Sequence, residues 1–166
     1  MNVKEYLYFA YGSNLSSLRL KARLPHVRLV ASAVLHGYRL AFDMLSTDGS
    51  AKCNIVKATQ EDIVYGAVYR LTQFEMDQLD AIEGARYERV ELDVTMQNVS
   101  AAKVYCYVAN TFVSDELPFD WYLNHVLVGA QEQGFPEFYI ENIRAQKCTK
   151  DANKDKQASE LNIYNR

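Results

Sequence analysis

The sequence predicts an α+β domain whose sheet curves or closes into a barrel. Apolar, aromatic and β-branched runs dominate up to about residue 111, and helical periodicity takes over after Pro118. The earlier runs also lack the regular crossover helices that a doubly wound parallel sheet needs. At 166 residues the chain has ordinary single-domain size and can bury about 70% of its unfolded surface, enough for an unaided core. The expected organisation is one domain over 1–148 and a polar, flexible tail over 149–166.

Tyr6 to Ala10 is short, aromatic and apolar and reads as a buried strand, ended by the turn chemistry of Gly12 and Asn14. Leu15 to Leu24 reads as a helix that buries Leu15, Leu18 and Ala22, turns Arg19, Lys21 and Arg23 to solvent, and stops at Pro25. Val27 to Ala41, interrupted by Gly37, predicts two strands or one bent strand. Strands follow at Lys52 to Val56 and Ile63 to Leu71, after a loop at Asp48-Gly49-Ser50. Thr72-Gln73-Phe74-Glu75 fits a capping box, in which the Thr hydroxyl and the Glu carboxylate satisfy free backbone donors at a helix start. The helix it opens runs to about Glu83 with Phe74, Leu79 and Ile82 as an imperfect apolar stripe, and Gly84 ends it. Arg86 to Val94 and Lys103 to Asn110 are further strands. After Pro118, Phe119, Tyr122, Leu123, Val126, Leu127 and Ala130 recur at helical spacing as far as Gly134, and Pro136 begins a last helix reaching about Lys147.

The net charge of -3 and the dispersed basic residues argue against binding nucleic acid through a broad positive surface, and favour a small-molecule ligand. No segment approaches the roughly 20 apolar residues of a membrane span, and Met1 to Glu5 lacks a secretory layout, so no membrane partner and a cytoplasmic location are expected. Cys53, Cys106 and Cys148 are odd in number and show no CxxC spacing. They read as reduced, packed thiols rather than a disulfide frame, a zinc site or nucleophiles. His26, His36 and His125 have no metal-ligand spacing, and no phosphate loop or dinucleotide fingerprint is present. The expectation is therefore no metal and no cofactor. Homodimerisation is compatible with these observations but not required by them.

Two short signatures carry chemistry. Tyr11-Gly12-Ser13-Asn14 closes the first strand, and a glycine-containing turn with converging amides holds an anion without a cationic side chain. Leu79-Asp80-Ala81-Ile82-Glu83-Gly84 ends the capped helix, which places Glu83 at the negative end of the helix dipole and favours its protonated form. That suits a proton carrier. Ser13 lacks the GxSxG elbow of an acyl-transfer nucleophile and reads as part of the cradle.

Three ordered segments resemble the γ-glutamylcyclotransferase family: Tyr8-Phe9-Ala10-Tyr11-Gly12-Ser13-Asn14-Leu15, the helix end at Glu83-Gly84, and Trp121-Tyr122-Leu123 with Gly129-Ala130 and Gly134-Phe135-Pro136. The resemblance extends from about Tyr6 to Ile143. It implies a small mixed β-barrel flanked by helices that converts a γ-glutamyl compound to 5-oxoproline, releasing an amino acid or amine without a cofactor. It also implies a substrate cradle at Tyr8, Phe9, Ala10, Tyr11, Gly12, Ser13 and Asn14, an acid/base at Glu83, and cavity walls from Tyr87, Tyr107 and Tyr122. The γ-glutamyl substrate is then the small-molecule partner. Two rival readings remain at this point: a γ-glutamylamine cyclotransferase of a tailoring pathway, and a noncatalytic sensor that uses the same cradle.

Overall fold

The structure, a computed structural model, describes residues 2–165. The outer ends of the expected domain and tail, Met1 and Arg166, lie outside the described residues. Five strands close a barrel: β1 (Glu5–Ala10), β2 (Arg28–His36), β5 (Ile63–Thr72), β6 (Tyr87–Met96) and β7 (Val99–Ala109), in the order β1-β5-β2-β6-β7. All neighbours are antiparallel except the closing pair, where β7 meets β1 in parallel at Tyr8 and Tyr105. Closure removes the exposed sheet edge. The remaining strands, β3 (Tyr38–Leu45) and β4 (Ala51–Lys57), form a separate hairpin, and Gly37 at φ +83° turns the chain from β2 into β3. The segment Val27 to Ala41 is thus two strands.

Phe9, Val64, Val68, Val104 and Cys106 form one apolar face of the barrel strands, all essentially solvent-free, and Leu71 is buried on the opposite face of β5. Helix α3 (Asp120–Glu132) packs across one barrel end. Gly129 makes that contact: a Cβ there would lie 2.3 Å from the Leu15 backbone. Helix α4 (Glu137–Arg144) begins after Pro136 and ends sooner than the predicted Lys147. No helix among the described residues is long and apolar enough to cross a membrane.

Two predicted helix faces are corrected. Leu15 belongs to a 3-10 turn, Ser13–Leu15, and Ser16 then caps α1 (Ser17–Arg23) by accepting from the Arg19 amide at 3.4 Å. That break rotates the helix, so Leu18 is 47% exposed whereas Arg19, expected in solvent, is 5% exposed. In α2 (Gln73–Glu83) both capping-box bonds form, yet Phe74 and Ile82 face outward and Met76 with Leu79 reaches the core.

The polar tail carries structure that its composition does not advertise. Asp151 is buried and accepts from the Trp121 indole at 2.9 Å, and helix α5 (Lys154–Asn162) lies against α3. Ion pairing and hydrogen bonds take the place of an apolar stripe. Glu160 pairs with Arg19 and accepts from His125 Nε2 at 3.0 Å. Tyr164 joins His125 Nδ1 at 2.5 Å to Ser16 at 2.8 Å.

Candidate active site

The two signatures meet at one end of the barrel. A pocket with about 320 Å3 of empty volume is lined by Tyr8, Tyr11, Gly12, Ser13, Asn14, Cys53, Glu83, Tyr87, Tyr107 and Tyr122. Strand β1 delivers Tyr8 and the turn that follows it; α2 delivers Glu83 from its last residue; β6, β7 and α3 contribute one tyrosine each. A Cβ at Gly12 would be crowded, 3.0 Å from Cys53 Cβ and 3.4 Å from the Tyr122 hydroxyl.

Asn14 is the centre of the polar contacts. Its Nδ2 donates to the Tyr8 hydroxyl at 3.1 Å and to Glu83 Oε1 at 3.2 Å, while its Oδ1 accepts from Arg23 Nη1 at 3.3 Å. Burial raises the proton affinity of Glu83, and Arg23, Arg19, Lys52 and the Asn14 bond only partly reverse this. Desolvation is therefore the main cause of the shift on this carboxyl, beyond the helix-end effect expected from sequence.

The tyrosine hydroxyl protons are unequally committed. Tyr11 donates to the Tyr107 carbonyl, Tyr107 to Asp80 Oδ1 at 2.6 Å, and Tyr87 to the Cys53 carbonyl at 2.6 Å. Tyr122 accepts from the Cys53 amide at 2.9 Å. The Tyr8 hydroxyl accepts from Asn14, and its own proton has no acceptor among the described residues. Burial keeps all five phenols protonated. The same burial pushes the Cys53 thiol up to about 12, so it lines the pocket as an unreactive group.

Of the residues expected at the site, Tyr8, Tyr11, Gly12, Ser13, Asn14, Glu83, Tyr87, Tyr107 and Tyr122 converge on this pocket. Phe9 and Ala10 do not: both are fully buried away from the pocket, Phe9 on the face of β1 opposite to Tyr8. Sequence reasoning missed Cys53, Asp80 as the anchor of Tyr107, and Arg19, whose Nε donates to Ser13 Oγ at 3.1 Å. Asp80 lies within the second signature and carried that signal; Arg19 looked like an ordinary solvated charge.

The closed barrel with its helices matches the γ-glutamyl cyclotransferase fold. A solved gamma-glutamyl cyclotransferase superposes with a TM-score of 0.84 at 25% identity, covering 98% of this chain and 100% of that one. The gamma-glutamylcyclotransferase of Mus musculus is 29% identical over 147 residues, 84% of this chain and 78% of the relative. That of Homo sapiens is 29% identical over 149 residues, 86% and 79% respectively. A yeast gamma-glutamyl cyclotransferase specific to glutathione shares the fold alone, at 13% identity and a TM-score of 0.56. Residues 63–143 match the AIG2-like family model. The chain has the γ-glutamyl cyclotransferase fold and is similar to the AIG2-like family over that segment.

Proposed function

We propose that the pocket cyclises γ-glutamyl compounds, the substrate's α-amine attacking its own γ-carbonyl to give 5-oxoproline and a released amine or amino acid. One observation carries this reading: the Glu83 carboxyl is enclosed beside the glycine turn and joined to it through Asn14. The amides of Gly12 and Ser13 offer the α-carboxylate an anchor, with Gly12 admitting close approach. A fixed, folded glutamyl chain is then a near-attack conformer, and orientation of this kind is worth up to about 7–11 kcal/mol relative to a bimolecular reference.

Glu83 takes a proton from the α-ammonium as the new C–N bond forms, and returns it to the departing nitrogen as the old C–N bond breaks. No water, electron or phosphate is consumed, so the reading invokes no cofactor. A carboxylate near its ordinary value is a poor base for an ammonium group; the raised proton affinity of Glu83 narrows that gap. Tyr8, a pocket phenol whose proton has no acceptor among the described residues, is the donor we assign to the negative charge that develops on the γ-carbonyl oxygen.

The test is to incubate the protein with γ-glutamyl amino acids, γ-glutamyl amines and glutathione and to follow 5-oxoproline by mass spectrometry. Product that disappears in Glu83→Gln supports the reading. Tight binding of the same compounds with no product would instead make the pocket a sensor.

A further inference from the structure

We propose that a second chamber, on the outer side of Glu83, is an anion subsite that selects substrates whose departing amine is an acidic amino acid carrying two carboxylates. This rests on the cyclisation reading above. The chamber has about 580 Å3 of empty volume and shares Ser13, Glu83, Tyr87 and Tyr122 with the first pocket, so the two adjoin at the proposed proton carrier. To those shared walls it adds Arg19, Arg23, Lys52 and Arg86.

Two of the four cations on the chamber walls lack a carboxylate at ion-pair distance among the described residues. Arg19 is neutralised by Glu160, and Lys52 faces Asp48 at 3.7 Å. Neither Arg23 nor Arg86 has a carboxylate within 4.0 Å among the described residues. Their polar contacts are neutral oxygens: Asn14 Oδ1 at 3.3 Å for Arg23, and the Leu45 carbonyl at 2.8 Å for Arg86. Such acceptors aim a guanidinium without cancelling its charge. The crowding is felt by Lys52, whose pKa is lowered by burial and, despite Asp48, by Arg19, Lys156 and Arg23. The remaining acid on these walls, Glu83, is the proton carrier, and Asn14 stands between it and Arg23.

One carboxylate for each uncompensated guanidinium gives a leaving group with an α-carboxylate and a side-chain carboxylate, as in glutamate or aspartate. Guanidinium and carboxylate pair through parallel hydrogen bonds, which confer geometric selectivity as well as attraction. A neutral amine would leave both guanidinium groups unanswered, and a polyamine would be repelled.

The test compares γ-glutamyl-glutamate with its near-isostere γ-glutamyl-glutamine, together with γ-glutamyl-alanine and a γ-glutamyl amine. The expected result is kcat/KM at least about tenfold higher for the diacid than for the glutamine compound, an advantage that shrinks with added salt. Arg86→Gln and Arg23→Gln each narrow that ratio. Equal rates for the pair, or a preference for the amine, overturn the proposal. Calorimetry on the Glu83→Gln protein reads the subsite without turnover: tighter binding of γ-glutamyl-glutamate supports it, and equal or absent binding overturns it. If no compound yields 5-oxoproline, the cyclisation reading falls while the calorimetric comparison still decides the subsite.

Discussion

Asn14 donates its amide to Glu83 at 3.2 Å, so the turn that ends β1 directly holds the carboxyl that ends α2. The two signatures, some seventy residues apart in the chain, are one unit in space.

That bond favours the ionised form of Glu83. Asn14→Ala is therefore expected to raise the carboxyl's proton affinity further and to move the acid limb of the kcat/KM profile to higher pH. A pH–rate series on the two proteins measures it; a limb that stays put or moves down contradicts the assignment.

Glu83→Gln should separate activity from stability. Because burial holds the folded-state pKa above the ordinary carboxylate value, ionising this group costs the native state stability. That cost appears as pH rises from the unfolded value through the folded one and persists above it. The amide variant avoids it. Turnover should fall about 10²–10⁴-fold or more, while urea denaturation at pH 7 shows stability equal to or above the parent's.

Tyr8→Phe should lower kcat by about 10²–10³-fold with a smaller change in KM, as loss of an oxyanion donor does. Tyr107→Phe should cost less in kcat, since its proton is already given to Asp80. Steady-state kinetics on both variants ranks them; the reverse order would remove Tyr8 from its role.

Acid should loosen the tail before the barrel. Burial pushes Glu160 upward, but His125 and Arg19 prevail and hold it at about 2. A depressed carboxyl stabilises the fold above its unfolded pKa, and the contribution, on the order of 3 kcal/mol, is lost as pH falls from about 4.5 towards 2. Burial lowers the pKa of His125, so its protonation in the unfolded chain acts in the same direction below its ordinary value of 6.5. Glu160→Gln should flatten the acid dependence seen by Trp121 fluorescence; an unchanged midpoint would refute the network's importance.

Gly129→Ala tests the packing that sets the cradle. Its Cβ would meet the Leu15 backbone at 2.3 Å, next to the turn that bears Ser13 and Asn14. The expected loss is about 1–3 kcal/mol of stability, with reduced turnover in whatever folds. Thermal melts alongside activity measure both.

The sequence revealed what local rules govern. The capping box at Thr72, the stop at Gly84 and the strand before Gly12 each depend on nearby residues, and each appears where expected. What it hid depends on partners distant in the chain. Arg19 is buried because Glu160 lies across from it, 141 residues away. Helix α5 docks through single polar contacts, so no apolar period marks it. Phe74 broke the face assignment for another reason: the capping box fixes where α2 starts, and that phase directs its second residue outward.

Cys53 sits in a hairpin outside the barrel, yet its peptide is gripped on both sides, by Tyr122 at the amide and Tyr87 at the carbonyl. Any displacement of either ring by an incoming molecule must slacken β4 at that one residue. Deuterium uptake at the Cys53 amide thus becomes a built-in gauge of occupancy, legible even when nothing is turned over.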